Sequence, residues 1–150
     1  MSGVSITIRL SGDARTKLGD MLSRIEDQSK FFAAASELML DQTQTRFREQ
    51  RDPDGNAWRP LAPATVARRG NASPILEVSR SLRAGIHAAP EPNRAVVQTL
   101  ALPYAAIHQE GGEAGRGRSV TIPARPYLGF GDADERELIE LAEEMIFDGR

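Results

Sequence analysis

The sequence predicts an α+β fold: a single domain over residues 1–150, with a long helix and a C-terminal helix packed on a small, mostly antiparallel sheet. Three observations lead there. Val4, Ile6, Ile8 and Leu10 alternate with Ser5, Thr7 and Arg9, the period-two pattern of a half-buried strand. Phe31, Phe32, Ala35, Leu38, Met39 and Leu40 open a helical stretch that runs from about Ser29 to Gln50. Leu138, Ile139, Leu141, Ala142, Met145 and Ile146 return to helical spacing near the end of the chain.

The elements follow in order. Gly12 and Asp13 punctuate the first strand, and Asp13 is placed as the N-cap of a helix carrying Leu18, Met21, Leu22 and Ile25 on one side. The second half of the Ser29–Gln50 helix is polar apart from Phe47, which predicts projection into solvent or contact with a partner. Arg51 to Pro60 is rich in turn formers. Pro53 with Gly55 two residues on suits a tight reversal. A short helical run from Ala64 to Arg69 follows, then a polar break to Pro74. Ile75 to Ile86 holds Leu76, Val78, Leu82 and Ile86, with Ser79 as its N-cap. Gly85–Ala89 and Ala95–Leu100 are extended segments around the turn at Pro90, Pro92 and Asn93. Tyr104 to His108 reads as a short helix, Glu110 to Arg118 as a mobile, glycine-rich, charged loop, and Val120 with Ile122 as a short strand ended by Pro123. Asp132, three residues before Glu135, is placed as the cap of the last helix.

Composition excludes several classes of function. There are no cysteines, so disulfides, thiolate chemistry and cysteine-ligated zinc are out. The net charge of −2 lacks the basic excess of a dedicated duplex-DNA binder, whose affinity rests on phosphate contacts. Met1 to Leu10 has neither the basic nor the apolar region of a secretory signal, and no segment has the length of a membrane span, so the expected setting is the cytosol. Asn71-Ala72-Ser73 matches a glycosylation sequon without that context.

Candidate chemistry is sparse. Gly112-Glu113-Ala114-Gly115-Arg116-Gly117-Arg118-Ser119 approaches a phosphate-binding loop. It has Arg118 where lysine is needed, and a strand where the following helix should start. His87 and His108 lack the spacing of a metal site, and no serine elbow accompanies them. Asp132/Asp134 and Glu143/Glu144 are read as cap and solvent-face acids, and Arg68-Arg69 and Arg116/Arg118 as basic spots too short for a nucleic-acid footprint. Trp58, the only tryptophan, is expected to pin its proline- and glycine-rich connection to the core, or else to lie in a subunit interface. No catalytic residue, cofactor-binding residue or metal ligand is assigned.

Four ordered blocks carry a resemblance. They are Pro53-Asp54-Gly55-x-x-Trp58-x-Pro60-Leu61-x-Pro63-x-Thr65; Ile75-Leu76 with Ser79-x-x-Leu82-Arg83; Pro103-Tyr104-Ala105-x-Ile107-His108-Gln109-x-Gly111; and Pro123-Ala124-Arg125-Pro126-Tyr127-Leu128-Gly129. Together they resemble the phage virion morphogenesis, or tail completion, family over roughly Phe31 to Ile146. One departure is Ser79-Arg80-Ser81 where the family often has Thr-Gly before the Leu-Arg pair. The resemblance implies a non-enzymatic structural subunit that completes the tail and joins it stably to the head. The family is also similar to small neck and tail-terminator proteins that form homo-oligomeric rings, commonly six-fold. The implied partners are further copies of the chain and the tail-tube or neck proteins. No membrane and no specific nucleic acid are implied, although DNA passes through such a ring. The implied location is the virion tail or neck, after assembly in the host cytoplasm. Pro53, Gly55, Trp58, Tyr104, His108, Gly111, Arg125 and Pro126 are expected to shape the fold and the ring contacts. Tyr104 and His108 share a helical face at i and i+4, and Arg125, held extended by Pro126, is expected to tie its strand to another element or to a neighbouring subunit. The two long loops, Gln50–Pro63 and Glu110–Arg118, are expected to order on contact, leaving the free protein mainly monomeric. A head-completion or adaptor protein on the portal side is the alternative within virion assembly. A nucleic-acid-binding module using the loop arginines and a hydrolase using His108 are the alternatives from other classes.

Overall fold

A computed structural model describes residues 12–71, 75–76, 81–100 and 104–147. The strand expected at Val4–Leu10, the Ser79 cap and Pro103 lie outside the described residues. The described elements are α1 (Gly12–Leu22), α2 (Gln28–Glu49), α3 (Pro63–Arg69), α4 (Ser81–Ala84), β1 (Ile86–Ala88), β2 (Val97–Thr99), α5 (Ala105–Glu110), β3 (Gly112–Ala114), β4 (Val120–Ile122) and α6 (Asp132–Phe147). A short 3-10 turn, Arg116–Arg118, links β3 to β4.

The fold is α+β, but its strands form two separate antiparallel hairpins where one small sheet was expected. Ile86 pairs with Thr99 and Ala88 with Val97 in the first, and Gly112 pairs with Ile122 and Ala114 with Val120 in the second. Each strand is three residues long, too short to extend a common ladder across α5. Within Ile75–Ile86, Ser81–Ala84 form α4, Leu76 takes φ 64°, and Ile86 belongs to β1, in the segment read as extended from Gly85 to Ala89.

Helix α2 runs through both hydrophobic clusters. Its first half supplies Phe31 and Ala35 to a cluster with Leu18, Met21 and Ile25 of the N-terminal region and Leu138 and Ala142 of α6. Its second half supplies Phe47 to a cluster with Trp58, Ile75, Leu82, Ile86, Val97, Ala105, Tyr127 and Leu128. The cap of α2 is Asp27, whose carboxylate accepts from the Ser29 backbone at 3.1 Å. The helix ends on Gln50 in the left-handed region (φ 55°). The α1 helix already begins at Gly12, so Asp13 lies in its first turn and is not its cap.

The polar second half of α2 is solvated on one side only, where Asp41, Arg48 and Glu49 are exposed; its other side is buried within the chain. Gln42, Thr43 and Arg46 are buried there with Phe47. They pack against α6 and the irregular segment Arg125–Gly131. The start of α6 also differs from expectation: Asp132 is its first residue and Gly131 occupies the cap position. Asp134 reaches back to accept from the Gly131 N–H at 2.7 Å, the returning half of a capping box.

Candidate functional site

A network of side-chain hydrogen bonds surrounds Arg125–Gly131, a strap with no regular secondary structure of its own. Its backbone groups are satisfied by side chains from four other places. Gln109 of α5 accepts from the N–H groups of Tyr127 and Leu128 through Oε1 (3.1 and 3.0 Å) and donates through Nε2 to the Leu128 carbonyl (2.8 Å). Trp58 donates through Nε1 to the Pro126 carbonyl at 2.8 Å. Arg46 of α2 donates through Nη1 to the Tyr127 carbonyl at 3.0 Å, and Asp134 holds the Gly131 N–H. A buried segment of irregular backbone persists only when its polar groups find such partners.

The strap returns support to its neighbours. Tyr127 is fully buried, and its hydroxyl donates to the Ala105 carbonyl at 2.7 Å. Burial, with the Glu110 carboxylate in addition, holds that phenol protonated well above its usual range. The Tyr127 ring lies beside Phe47 (centroids 5.6 Å apart), and Phe47 meets Trp58 edge-on at 5.3 Å. Arg125 is buried to 5% exposure and forks onto two backbone carbonyls, Nε to Arg59 (2.7 Å) and Nη2 to Pro60 (2.9 Å). Desolvation pulls the Arg125 pKa down. The expected tie from Arg125 to another element is thus made within the same chain, to the connection that leads into α3.

The Gln50–Pro63 connection is organised, against the expectation that it orders only on contact. Asp52 accepts from the N–H groups of Asp54 and Asn56, both at 2.9 Å, and Arg51 bridges to Ala57. Gly55 sits at φ 87° with open space around it, so its role is conformational. Pro53 packs against the strap's glycines. A Cβ at Gly129 would stand 2.5 Å from Pro53 Cγ, and one at Gly131 would collide with the Pro53 carbonyl. Trp58, 5% exposed, pins the connection to the core as its indole chemistry suggested.

Tyr104 and His108 share a face of α5, with ring centroids 6.1 Å apart. The His108 backbone carbonyl accepts from the Arg125 N–H at 2.8 Å. The imidazole Nδ1 is buried without a hydrogen-bond partner among the described residues. Burial first, and the Arg125 charge second, lower the His108 pKa, so the ring is held neutral. His87 is also turned inward, Nδ1 toward the Gly85 carbonyl (3.1 Å) and Nε2 toward the Gln98 amide (3.0 Å). Gly111, at φ 75°, ends α5 where an added Cβ would lie 2.8 Å from the Ala124 nitrogen. Glu110–Arg118 is a hairpin with a defined 3-10 turn and not an irregular loop. It therefore lacks the helix N-terminus that a phosphate site would need. Among the described residues, no group of three or more His, Asp or Glu side chains could hold a metal ion, and no helix is long and apolar enough to cross a membrane.

Of the eight singled-out residues, Pro53, Trp58, His108 and Gly111 contact or closely approach the segment Ala124–Gly131, which contains Arg125 and Pro126, while Gly55 shapes its turn and Tyr104 packs beside His108. Sequence reasoning missed Arg46, Asp134 and Asp52. Arg46 and Asp134 are 88 positions apart and form a buried ion pair at 2.5 Å. Their only sequence signal is an arginine beside Phe47 in an otherwise polar helix half, and an acid at the third position of α6.

Trp58, Ile75, Leu82, Ala105, Tyr127 and Leu128, which come from all four sequence blocks, share one hydrophobic cluster. The model of the phage virion morphogenesis family matches residues 12–146. The chain belongs to that family. The Mu-like prophage FluMu G protein 2 of Haemophilus influenzae is 44% identical over 84 residues, which cover 56% of this chain and 55% of that protein. The match thus spans about half the length of this relative. No solved structure matches the chain. Membership places the protein in phage virion assembly.

Proposed function

We propose that the chain is a structural, non-enzymatic subunit that completes the phage tail and supports stable joining of tail to head as part of a homo-oligomeric ring. The observation that carries this reading is the destination of the family's motif residues. Trp58, Gln109, Arg125 and Tyr127 direct their polar groups to backbone carbonyls and amides inside the chain. Residues used in this way specify one rigid shape, which is what a subunit repeated around an axis needs. The partners in this reading are further copies of the chain and the tail-tube or neck proteins, in the tail or neck of the virion.

The test is a phage or induced prophage with the gene disrupted. Filled heads and separate tails should accumulate unjoined, and supplying the protein in trans should restore infectious particles. Normal particle yield without the protein would overturn the reading. Accumulation of empty heads with normal tails would move the protein to the portal side.

A further inference from the structure

The β3–β4 hairpin has little support from the rest of the chain. Every residue from Gly115 to Thr121 is exposed, and Val120 keeps 50% of its surface in water. A two-stranded ribbon of this length is marginal by itself in water. Its tip is nevertheless shaped: Gly115, Gly117 and Arg118 all take positive φ (82°, 67° and 54°) around the 3-10 turn. Arg116 and Arg118 are presented there, the Arg118 N–H closing the turn onto the Gly115 carbonyl, and neither guanidinium has a hydrogen-bond or ion-pair partner among the described residues.

A surface of opposite charge lies elsewhere on the molecule. An open groove of about 620 Å³ runs between α2, α6 and the Arg51–Gly55 turn. Acids outnumber arginines along it seven to three, and the buried Arg46–Asp134 pair cancels one of each. Asp41, Glu49, Asp54, Asp132 and Glu137 are exposed there, while Arg51 is turned toward the Gly55 carbonyl at 2.8 Å. The groove and the hairpin have no residue in common.

We propose that the hairpin of one copy docks its Arg116-Gly117-Arg118 tip in the acid-lined groove of a second copy, making the head-to-tail contact of a ring. The inference rests on the ring reading above and names the two faces that would meet. A head-to-tail ring needs two different complementary surfaces on each subunit. Guanidinium groups fork onto carboxylates more specifically than any other cationic side chain. Docking also covers Val120 and gives the ribbon the packing it lacks. Pairs of exposed charges contribute little singly and are screened by salt. A single contact is therefore weak, and closure of the ring supplies the stability.

The chain has no cysteine, so disulfide trapping reads only engineered pairs. Ser119→Cys protein is mixed under mild oxidation with Asp54→Cys protein, or with Glu91→Cys protein as an exposed control outside the groove. The Ser119–Asp54 pair should form faster, on the order of tenfold, as expected for electrostatically guided encounter. The advantage should vanish in high salt and when Arg116→Glu/Arg118→Glu is added to the hairpin partner. Adding Asp132→Arg/Glu137→Arg to the groove partner should then restore it, which separates lost charge from lost folding. Equal rates for the groove and the control would overturn the proposal. So would a duplex-DNA gel shift that Arg116→Glu/Arg118→Glu abolishes without any preferential trapping. Copy number in purified tails separates the two levels of the argument. If several wild-type copies are present and Arg116→Glu/Arg118→Glu is incorporated equally, the hairpin contact is wrong and the ring stands. If the wild type is absent or present singly, the ring reading falls and this contact with it.

Discussion

Arg46 of α2 reaches Asp134 of α6 with both side chains buried, and the pair closes over the Tyr127 carbonyl and the Gly131 amide. The two charges do more than neutralise each other. Each also satisfies a backbone group of the strap, so the pair joins two helices and the segment between them. Desolvation is the largest influence on Arg46 and lowers its pKa, while Asp134 acts in the opposite direction. Removing one partner of a buried pair leaves the other uncompensated, at a cost of about 3–5 kcal/mol. Asp134→Ala should therefore destabilise by about that much in urea unfolding, and Asp134→Asn by less, because the amide oxygen can still accept from Gly131. Equal stability of Asp134→Ala and wild type would show that the pair is dispensable.

Trp58 is both an anchor and a reporter. Truncation to alanine should cost about 3–5 kcal/mol through the cavity left against Phe47. Phenylalanine retains most of the apolar contact but leaves the Pro126 carbonyl unpaired, a cost of about 1–3 kcal/mol. The only tryptophan of the chain is buried, so native fluorescence should be blue-shifted and unfolding should move it to the red. A solvent-like emission maximum in the folded protein would contradict the placement of the indole.

Arg125 holds two carbonyls that nothing else is shown to serve. Arg125→Ala should lose stability on the order of 1.5–3 kcal/mol, the value of a hydrogen bond to a charged group. Arg125→Lys should rescue little of it, because an ammonium lacks the planar fork that spans Arg59 and Pro60. Limited proteolysis should then cut first between Gln50 and Pro63. A stable, protease-resistant Arg125→Ala protein that still failed to complete tails would return the residue to an assembly contact.

His108 gives the stability a pH dependence of definite sign. Its folded pKa lies below the ordinary 6.5, so the unfolded chain binds the proton more readily. Stability is then full above about pH 6.5 and declines as pH falls toward the depressed folded value. The cause is local: burial disfavours the charged ring first, and protonation would also place a second cation beside Arg125, on a ring whose Nδ1 has no partner among the described residues. Asp27 and Glu91 are each held below the ordinary carboxylate value, first by a side-chain hydrogen bond, from Ser29 and Arg94. His108→Gln should flatten the difference in unfolding midpoint between pH 7.5 and 5.5. An unchanged difference would assign the dependence to other groups.

Much of the fold was legible because its signals are local. The spacing of Phe31 and Ala35, the turn at Pro90–Asn93 between two extended segments, and the turn chemistry of Pro53 and Gly55 each act over a few residues, and the elements formed where they pointed. What was not legible depends on distant partners. The polar half of α2 reads as a solvated face because periodicity registers apolar side chains only. Nothing near Arg46 in sequence shows that Asp134 and the Tyr127 carbonyl will meet it. The strap is invisible for the same reason: Pro126-Tyr127-Leu128-Gly129 has neither helical nor strand period, and its order comes from Gln109, Trp58 and Arg46. The motif residues were legible as a set, but Arg125 turned inward because its acceptors lie in its own chain.

Gly129 and Gly131 differ in why they exclude a side chain, and that difference can be measured. At Gly129 an added Cβ would meet the ring of Pro53, whereas at Gly131 it would meet the Pro53 backbone carbonyl. Both Gly129→Ala and Gly131→Ala should destabilise by at least the 1–3 kcal/mol typical of overpacking, roughly. Truncating Pro53 to alanine removes Cγ and Cδ but leaves the carbonyl in place. In double-mutant cycles, Pro53→Ala should therefore relieve part of the Gly129→Ala defect and none of the Gly131→Ala defect. Relief at Gly129 stays partial because φ of 154° remains unfavourable for any residue with a Cβ. Equal coupling of Pro53→Ala to both glycines would mean that the Asp52–Gly55 turn moves away as a unit, and that the contact with the strap is not fixed.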